Sequence, residues 1–249
     1  MSPYILFDSV KIEAGTYPAG HKWTLFQDSS EGSSKRVTDI NEAEIVNYLL
    51  RRNDSRRLIF KELRLSENAI WRSCVIEPIV NKSYPKPGDI DILICDNNSP
   101  NQAIAIECKR IKVKAVSTLD DDVNKIENLK DGISQTKSLL AMGFHQTYLA
   151  VIIEVDGRNR SAFNTAHRGL NPDATWDGAE KTMRKIYEFP QKNRYAQEVG
   201  FIFIEVIQPT GKSIEEMAGI CIRVDRFAKP QPQSGDLTNR VEALMRDTK

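Results

Sequence analysis

Apolar residues in this chain fall into two rhythms, and the clearest lies between residues 86 and 113. "GDIDILIC" and "AIAIECKRIKV" are short apolar runs, each interrupted by single charges and separated by the turn-forming stretch "DNNSPNQ". Such a pattern predicts two strands joined as a hairpin. The helical rhythm shows in "TDINEAEIVNYLLRR", where Ile45, Val46, Leu49 and Leu50 form one stripe. Asp39 is the expected N-cap there, with Glu42 at capping-box spacing. At about 100° per residue, Glu42 also falls on the apolar stripe and Glu44 on the opposite face.

Further elements follow the same two periods. "RLIFKELRLSENAIWRSCVIEPIV" reads as a helix and a strand or as two strands, with a strand expected around 72–80. "STLDDDVNKIENLKDGISQTKSLLAMGF" predicts a helix with Val123, Ile126, Ile133 and Leu140 on one side. Asp120, Asp121 and Asp122 suit its N-terminus, and Gly143 is its expected stop. "TYLAVIIEVD", "VGFIFIEVIQP" and "AGICIRVDRF" predict strands, and "DGAEKTMRKIYEF" a helix. Residues 1–36 form an expected β-rich extension ("YILFDSVKI", "KWTLF"), 37–228 the main domain, and 229–249 a Pro/Gln linker with a short amphipathic helix. Strands and helices in this order predict one α/β domain with a central mixed sheet flanked by helices. No glycine-rich phosphate loop is present to support a doubly wound dinucleotide fold.

Charge narrows the partners. A net charge of +1 gives no global attraction to polyanions, so nucleic-acid binding must come from local patches. Arg158, Arg160, Arg168, Lys181, Arg184 and Lys185 are candidates, although interspersed acids make a solvated face the competing reading. The start lacks a basic segment followed by a long apolar one, and runs such as "YLAVII" are too short to cross a bilayer, so no membrane role is expected. The 4 cysteines, Cys74, Cys95, Cys108 and Cys221, form no CxxC pair; they read as small core residues in a reducing cytoplasm. His21, His145 and His167 are isolated and do not compose a zinc site.

The hairpin carries the chemistry. Side chains alternate along a strand, so Asp89 and Asp91 share one face, as do Glu107 and Lys109. If the two strands pair, Asp91, Glu107 and Lys109 can meet on one face. Two partly buried carboxylates repel unless a cation lies between them, and an all-oxygen donor set suits Mg²⁺. A lysine beside them is placed to orient water or to stabilise charge on a phosphate.

"PGDID" followed by Glu107-Cys108-Lys109 resembles the PD-(D/E)xK nuclease superfamily, whose core is restriction-endonuclease-like; Gly88 separates Pro87 from the first acid. The resemblance covers roughly residues 39–155. It implies Asp91, Glu107 and the Cys108 carbonyl as Mg²⁺ ligands, with Mn²⁺ as a substitute and Asp89 as an accessory acid. Lys109 is implied as the catalytic cation. Glu42, on the preceding helix, is an implied further metal-side acid, and Gln135, on the following helix, positions Lys109 or the substrate. The implied activity is Mg²⁺-dependent endonuclease cleavage of DNA leaving a 5′-phosphate, with room outside the motif for a homodimer interface. Two alternatives stay open: a non-catalytic nucleic-acid-binding module, and a nuclease subunit active only in a ligand- or partner-gated assembly.

Overall fold

The structure, a computed structural model, describes residues 4–7, 12–14, 41–76, 88–96, 98–113, 121–156, 181–192, 197–208 and 219–246. Within these, only the backbone is described at 4–7, 12–14, 121–126, 155–156, 181–184, 207–208 and 219. The strands are β1 (Tyr4–Phe7), β2 (Ile12–Ala14), β3 (Ile70–Val75), β4 (Ile90–Asp96), β5 (Ser99–Val113), β6 (Gln146–Asp156), β7 (Gly200–Gln208) and β8 (Gly219–Arg226). The helices are α1 (Glu42–Arg51), α2 (Asn53–Glu62), α3 (Asp121–Ala141), α4 (Lys181–Lys192) and α5 (Gly235–Arg246).

All the described strands join one 8-stranded sheet in the order β2-β1-β8-β7-β6-β5-β4-β3. β5, β6 and β7 run parallel to one another; every other neighbouring pair is antiparallel. The mixed α/β sheet flanked by helices is therefore as the sequence pattern predicts. The parallel steps need long crossovers, and α3 supplies one of them between β5 and β6.

The sheet is covered on both faces, which explains its nearly continuous apolar central strands. α1 and α2 bury Ile45, Leu49 and Phe60 against Ile106, Ala150 and Ile152. On the other face, α3 and α4 bury Leu129, Ile186 and Phe189 against Leu149, Val151 and Phe203. A third cluster joins Leu237 and Val241 of α5 to Leu93 and Ala105 of the hairpin. The Pro/Gln-rich stretch before α5 is tied to β5: Gln233 Nε2 donates to the Pro100 carbonyl at 2.8 Å, and Gln233 Oε1 accepts from Ala103 N–H at 3.1 Å.

Several local expectations change. The 54–85 stretch resolves as helix then strand, and β3 starts and ends earlier than expected; residues 77–87 lie outside the described set. Strand pairing in the hairpin continues to Asp96–Ser99, so much of "DNNSPNQ" belongs to strands rather than to the turn. The cap of α1 is Asn41, not Asp39. Asn41 Oδ1 accepts from Glu44 N–H at 2.8 Å, and Glu44 Oε2 accepts from Asn41 N–H at 3.0 Å. The box thus uses Glu44, on the outward face, and leaves Glu42 free to turn inward. Cys95, Cys108 and Cys221 are buried as expected, but Cys74 is exposed. Its φ of 53° and its omission from the β3–β4 register turn it out of the regular pleat. Gly143 ends α3 with φ 90°, as its position predicts. Among the described residues, no helix is long and apolar enough to cross a membrane.

Candidate metal and active site

The site forms where β5 outruns β4. Ile92 pairs with Ile106, so one step further along the antiparallel ladder Asp91 stands opposite Glu107, on the same face. Lys109 follows on that face. β4 begins at Ile90, whereas β5 continues to Val113 and stays paired with β6 on its other edge throughout. The N–H groups of β5 that face the missing part of β4 need other acceptors.

Two acids supply them. Cys108 N–H donates to Asp91 Oδ2 at 2.6 Å, and Arg110 N–H donates to Glu42 Oε2 at 2.5 Å. Glu42 can do so because it lies one helical turn before Ile45 and Val46, whose burial aims this side of α1 at the sheet. Satisfying an amide occupies one oxygen of each carboxylate. It also orients the group, in the way that outer hydrogen bonds hold metal ligands.

Glu107 is 2% exposed. Its Oε1 accepts from Lys109 Nζ at 2.6 Å, while its Oε2 is buried with no hydrogen-bond partner. Burial, then repulsion from Asp91, pushes the Glu107 carboxyl up to about 8. Burial also pushes Asp91 up to about 7 against the opposing Cys108 amide, with Glu42 and Asp89 adding repulsion. Glu42 is raised by burial as well. For Lys109, burial pulls the ammonium down, but the charge and hydrogen bond of Glu107 together with the charges of Glu42 and Asp91 outweigh it, and the net shift is upward. This is an acid cluster with less positive charge than it needs. An orphaned buried carboxylate oxygen and carboxyls held partly protonated near neutrality fit a hard divalent cation, whose charge would replace those protons. Among the described residues, no three His, Cys, Asp or Glu side chains already form an ion cage. As placed, Asp91 and Glu42 are engaged by amides and Glu107 by Lys109.

α3 closes the site from the helix side. A Cβ on Gly88 would stand 2.7 Å from Gln135 Nε2, so Gln135 reaches the entry to β4, next to Asp89. Gly88 itself has φ 58°, which glycine adopts without strain. One turn earlier, a Cβ on Gly132 would stand 2.6 Å from Lys109 Cγ and 2.8 Å from Leu149 Cδ1. The sequence pattern does not single out Gly132. Its one signal is a glycine inside a helix, where alanine would be better by about 1 kcal/mol. The sequence pattern also misses the half-buried ion pair between Arg110 and Glu154, whose Nη1 and Oε2 are 3.3 Å apart.

Asp91, Glu107, Lys109, Glu42 and the Cys108 backbone therefore converge, with Asp89 within their field, while Gln135 reaches the neighbouring Gly88. Arg158, Arg160 and Arg168 lie outside the described residues, as do the side chains of Lys181 and Arg184. Lys185 is partly buried on α4, whose Tyr187 and Phe189 pack edge-on against Phe203 and Phe201 of β7.

The division of labour between Glu42 and Glu44 is testable. Glu44→Ala is expected to lower stability by about 1 kcal/mol, as loss of a cap does, and to leave any Mg²⁺-induced rise in melting temperature unchanged. Glu42→Gln keeps an acceptor for Arg110 N–H and removes a charge from a crowded acid cluster. It should preserve metal-free stability and reduce the Mg²⁺-induced rise. Urea midpoints and thermal melts of the two variants, with and without Mg²⁺, separate the roles.

Comparison with protein-family models, with curated proteins and with solved structures finds no match to this chain.

Proposed function

We propose that this chain is a Mg²⁺-dependent nuclease of the PD-(D/E)xK type, with a restriction-endonuclease-like core, that hydrolyses phosphodiester bonds in DNA. The observation that carries this reading is the buried Glu107. One of its oxygens is held by Lys109 Nζ at 2.6 Å, its other oxygen is orphaned, and Asp91 faces it across the hairpin. The orphaned oxygen costs stability, about 1–3 kcal/mol for an unpaired buried polar atom, and a divalent cation shared with Asp91 would offset that cost. The flanking helices add support: Glu42 of α1 accepts from Arg110 N–H beside the lysine, and Gln135 of α3 reaches Gly88 at the entry to β4.

Asp91, Glu107 and the Cys108 carbonyl would hold Mg²⁺, with Glu42 as a further acid. In a strand, the N–H and C=O of one residue point to the same side, so the Cys108 carbonyl faces the edge where Asp91 already binds its amide. Bound there, the ion would neutralise phosphate oxygens and make water more acidic. Lys109 holds a proton-rich ammonium beside Glu107, where it can orient the attacking water or stabilise charge building on the phosphate. Gln135 steadies the entry to β4 or contacts the backbone of the nucleic acid.

The test is cleavage of supercoiled plasmid by wild type and by Glu107→Gln. Wild type should nick or linearise it only with Mg²⁺ or Mn²⁺, and the variant should be slower by roughly 10²-fold or more. Equal metal-independent cutting by both proteins would reject the proposal. Single-stranded DNA and RNA in the same assay decide the substrate.

A further inference from the structure

We propose that Gly132 is a positioning residue for Lys109: its missing side chain lets α3 seat on the lysine stem and hold the ammonium against Glu107. This rests on the nuclease reading for its functional meaning, though not for its geometry. A Cβ at position 132 would be 2.6 Å from Lys109 Cγ, a separation that real Cβ atoms do not adopt, and 3.5 Å from Lys109 Cε. The stem must therefore move if any side chain is added. It has little room to do so without giving up its contact with Glu107, because the Nζ–Oε1 distance is 2.6 Å and Glu107 is held in the ladder with Leu149 of β6. On the same side of α3, one turn later, Gln135 reaches over Gly88, so a displaced helix also disturbs the entry to β4. The helix tolerates a glycine there at a local cost, which close approach to the strand offsets.

The clash has two parts, and they can be separated. The second part is with Leu149 Cδ1, at 2.8 Å from the added Cβ. Leu149→Val trims that contact and leaves the contact with Lys109. If Gly132 matters only for packing, the double variant Gly132→Ala with Leu149→Val regains both stability and cleavage. If Gly132 positions Lys109, the double variant regains stability but stays slow.

The experiment compares wild type, Gly132→Ala, the double variant and Ser134→Ala, an exposed control on the same helix. Plasmid cleavage with Mg²⁺ is measured beside the side-chain ammonium signal of isotope-labelled lysines by NMR, assigned with Lys109→Met. Cleavage by the glycine variants should fall about 10²-fold, the scale of a misplaced catalytic group. Their Lys109 ammonium signal should move or broaden away, while Ser134→Ala matches wild type in both readouts. If Gly132→Ala fails to fold, the double variant carries the test. An unchanged Lys109 signal in the folded glycine variants overturns the inference, as does full rescue of cleavage by Leu149→Val. If no protein cuts any nucleic acid, the nuclease reading fails alone and the ammonium signal still decides whether Gly132 positions Lys109.

Discussion

Replacing Lys109 with methionine should lower Mg²⁺-dependent cleavage by roughly 10²–10⁴-fold, the range for loss of a positioned proton donor or charge stabiliser. Methionine keeps an unbranched stem against Gly132, so the change reports on the ammonium rather than on packing. The consequence for Glu107 sets a second readout. Lys109 opposes the upward push on the Glu107 carboxyl, so removing it raises that carboxyl further above about 8. A group whose folded value is raised contributes stability that is present at low pH and lost as pH rises through the folded value. The variant should therefore be nearly as stable as wild type at pH 6, where Glu107 is protonated in both. At pH 9 it should be less stable than wild type, because wild-type Glu107 ionises against an ammonium and the variant's does not. Cleavage at the wild-type rate, or a stability gap that narrows as pH rises, would contradict the assignment.

Much of this geometry is legible in the sequence because a strand's period of two is rigid. Once "GDIDILIC" and "AIAIECKRIKV" are taken as strands, Glu107 and Lys109 must share a face, and the register that sets Ile92 opposite Ile106 puts Asp91 on that same face. The stripe of α1 likewise turns Glu42 toward the core. The capping error at the same place is instructive. Asp39 with Glu42 and Asn41 with Glu44 both have the right spacing, but a glutamate on the buried face cannot also bend back to its own N-cap. Burial and capping compete for one side chain, and the outward Glu44 wins the cap.

Other features depend on where strands end, which no local pattern sets. That β4 begins too late to cover Cys108 and Arg110 N–H is a product of tertiary pairing, and it gives Asp91 and Glu42 their amide partners. Cys74 reads as a core residue until the irregularity in β3 rotates it outward. An acid in an apolar strand is also a weaker signal than the motif makes it look. Glu154 and Glu205, each 1% exposed, interrupt β6 and β7 in the same way. What sets Glu107 apart is its company: a lysine two residues on and an aspartate across the ladder.

That company predicts how metal and proton should compete. With folded values of about 7 for Asp91 and about 8 for Glu107 against ordinary values of 3.8 and 4.5, the metal-free protein binds protons that the unfolded chain has released. Metal-free stability should thus decline as pH climbs from about 4 to about 8 and level off beyond. Mg²⁺ must displace those same protons, so its stabilising effect should be small below pH 6 and large above pH 8, with protons released into the solvent on binding. The double variant Asp91→Asn with Glu107→Gln carries neither proton. It should show a flatter pH profile, little or no Mg²⁺-induced shift and no proton release, and its metal-free form should be more stable than wild type at pH 8. Thermal melts across pH and calorimetry in buffers of different ionisation enthalpy measure all of this. A Mg²⁺ shift that persists in the double variant would place the ion elsewhere on the molecule, and one that grows toward acid pH would exclude these two carboxylates as its ligands.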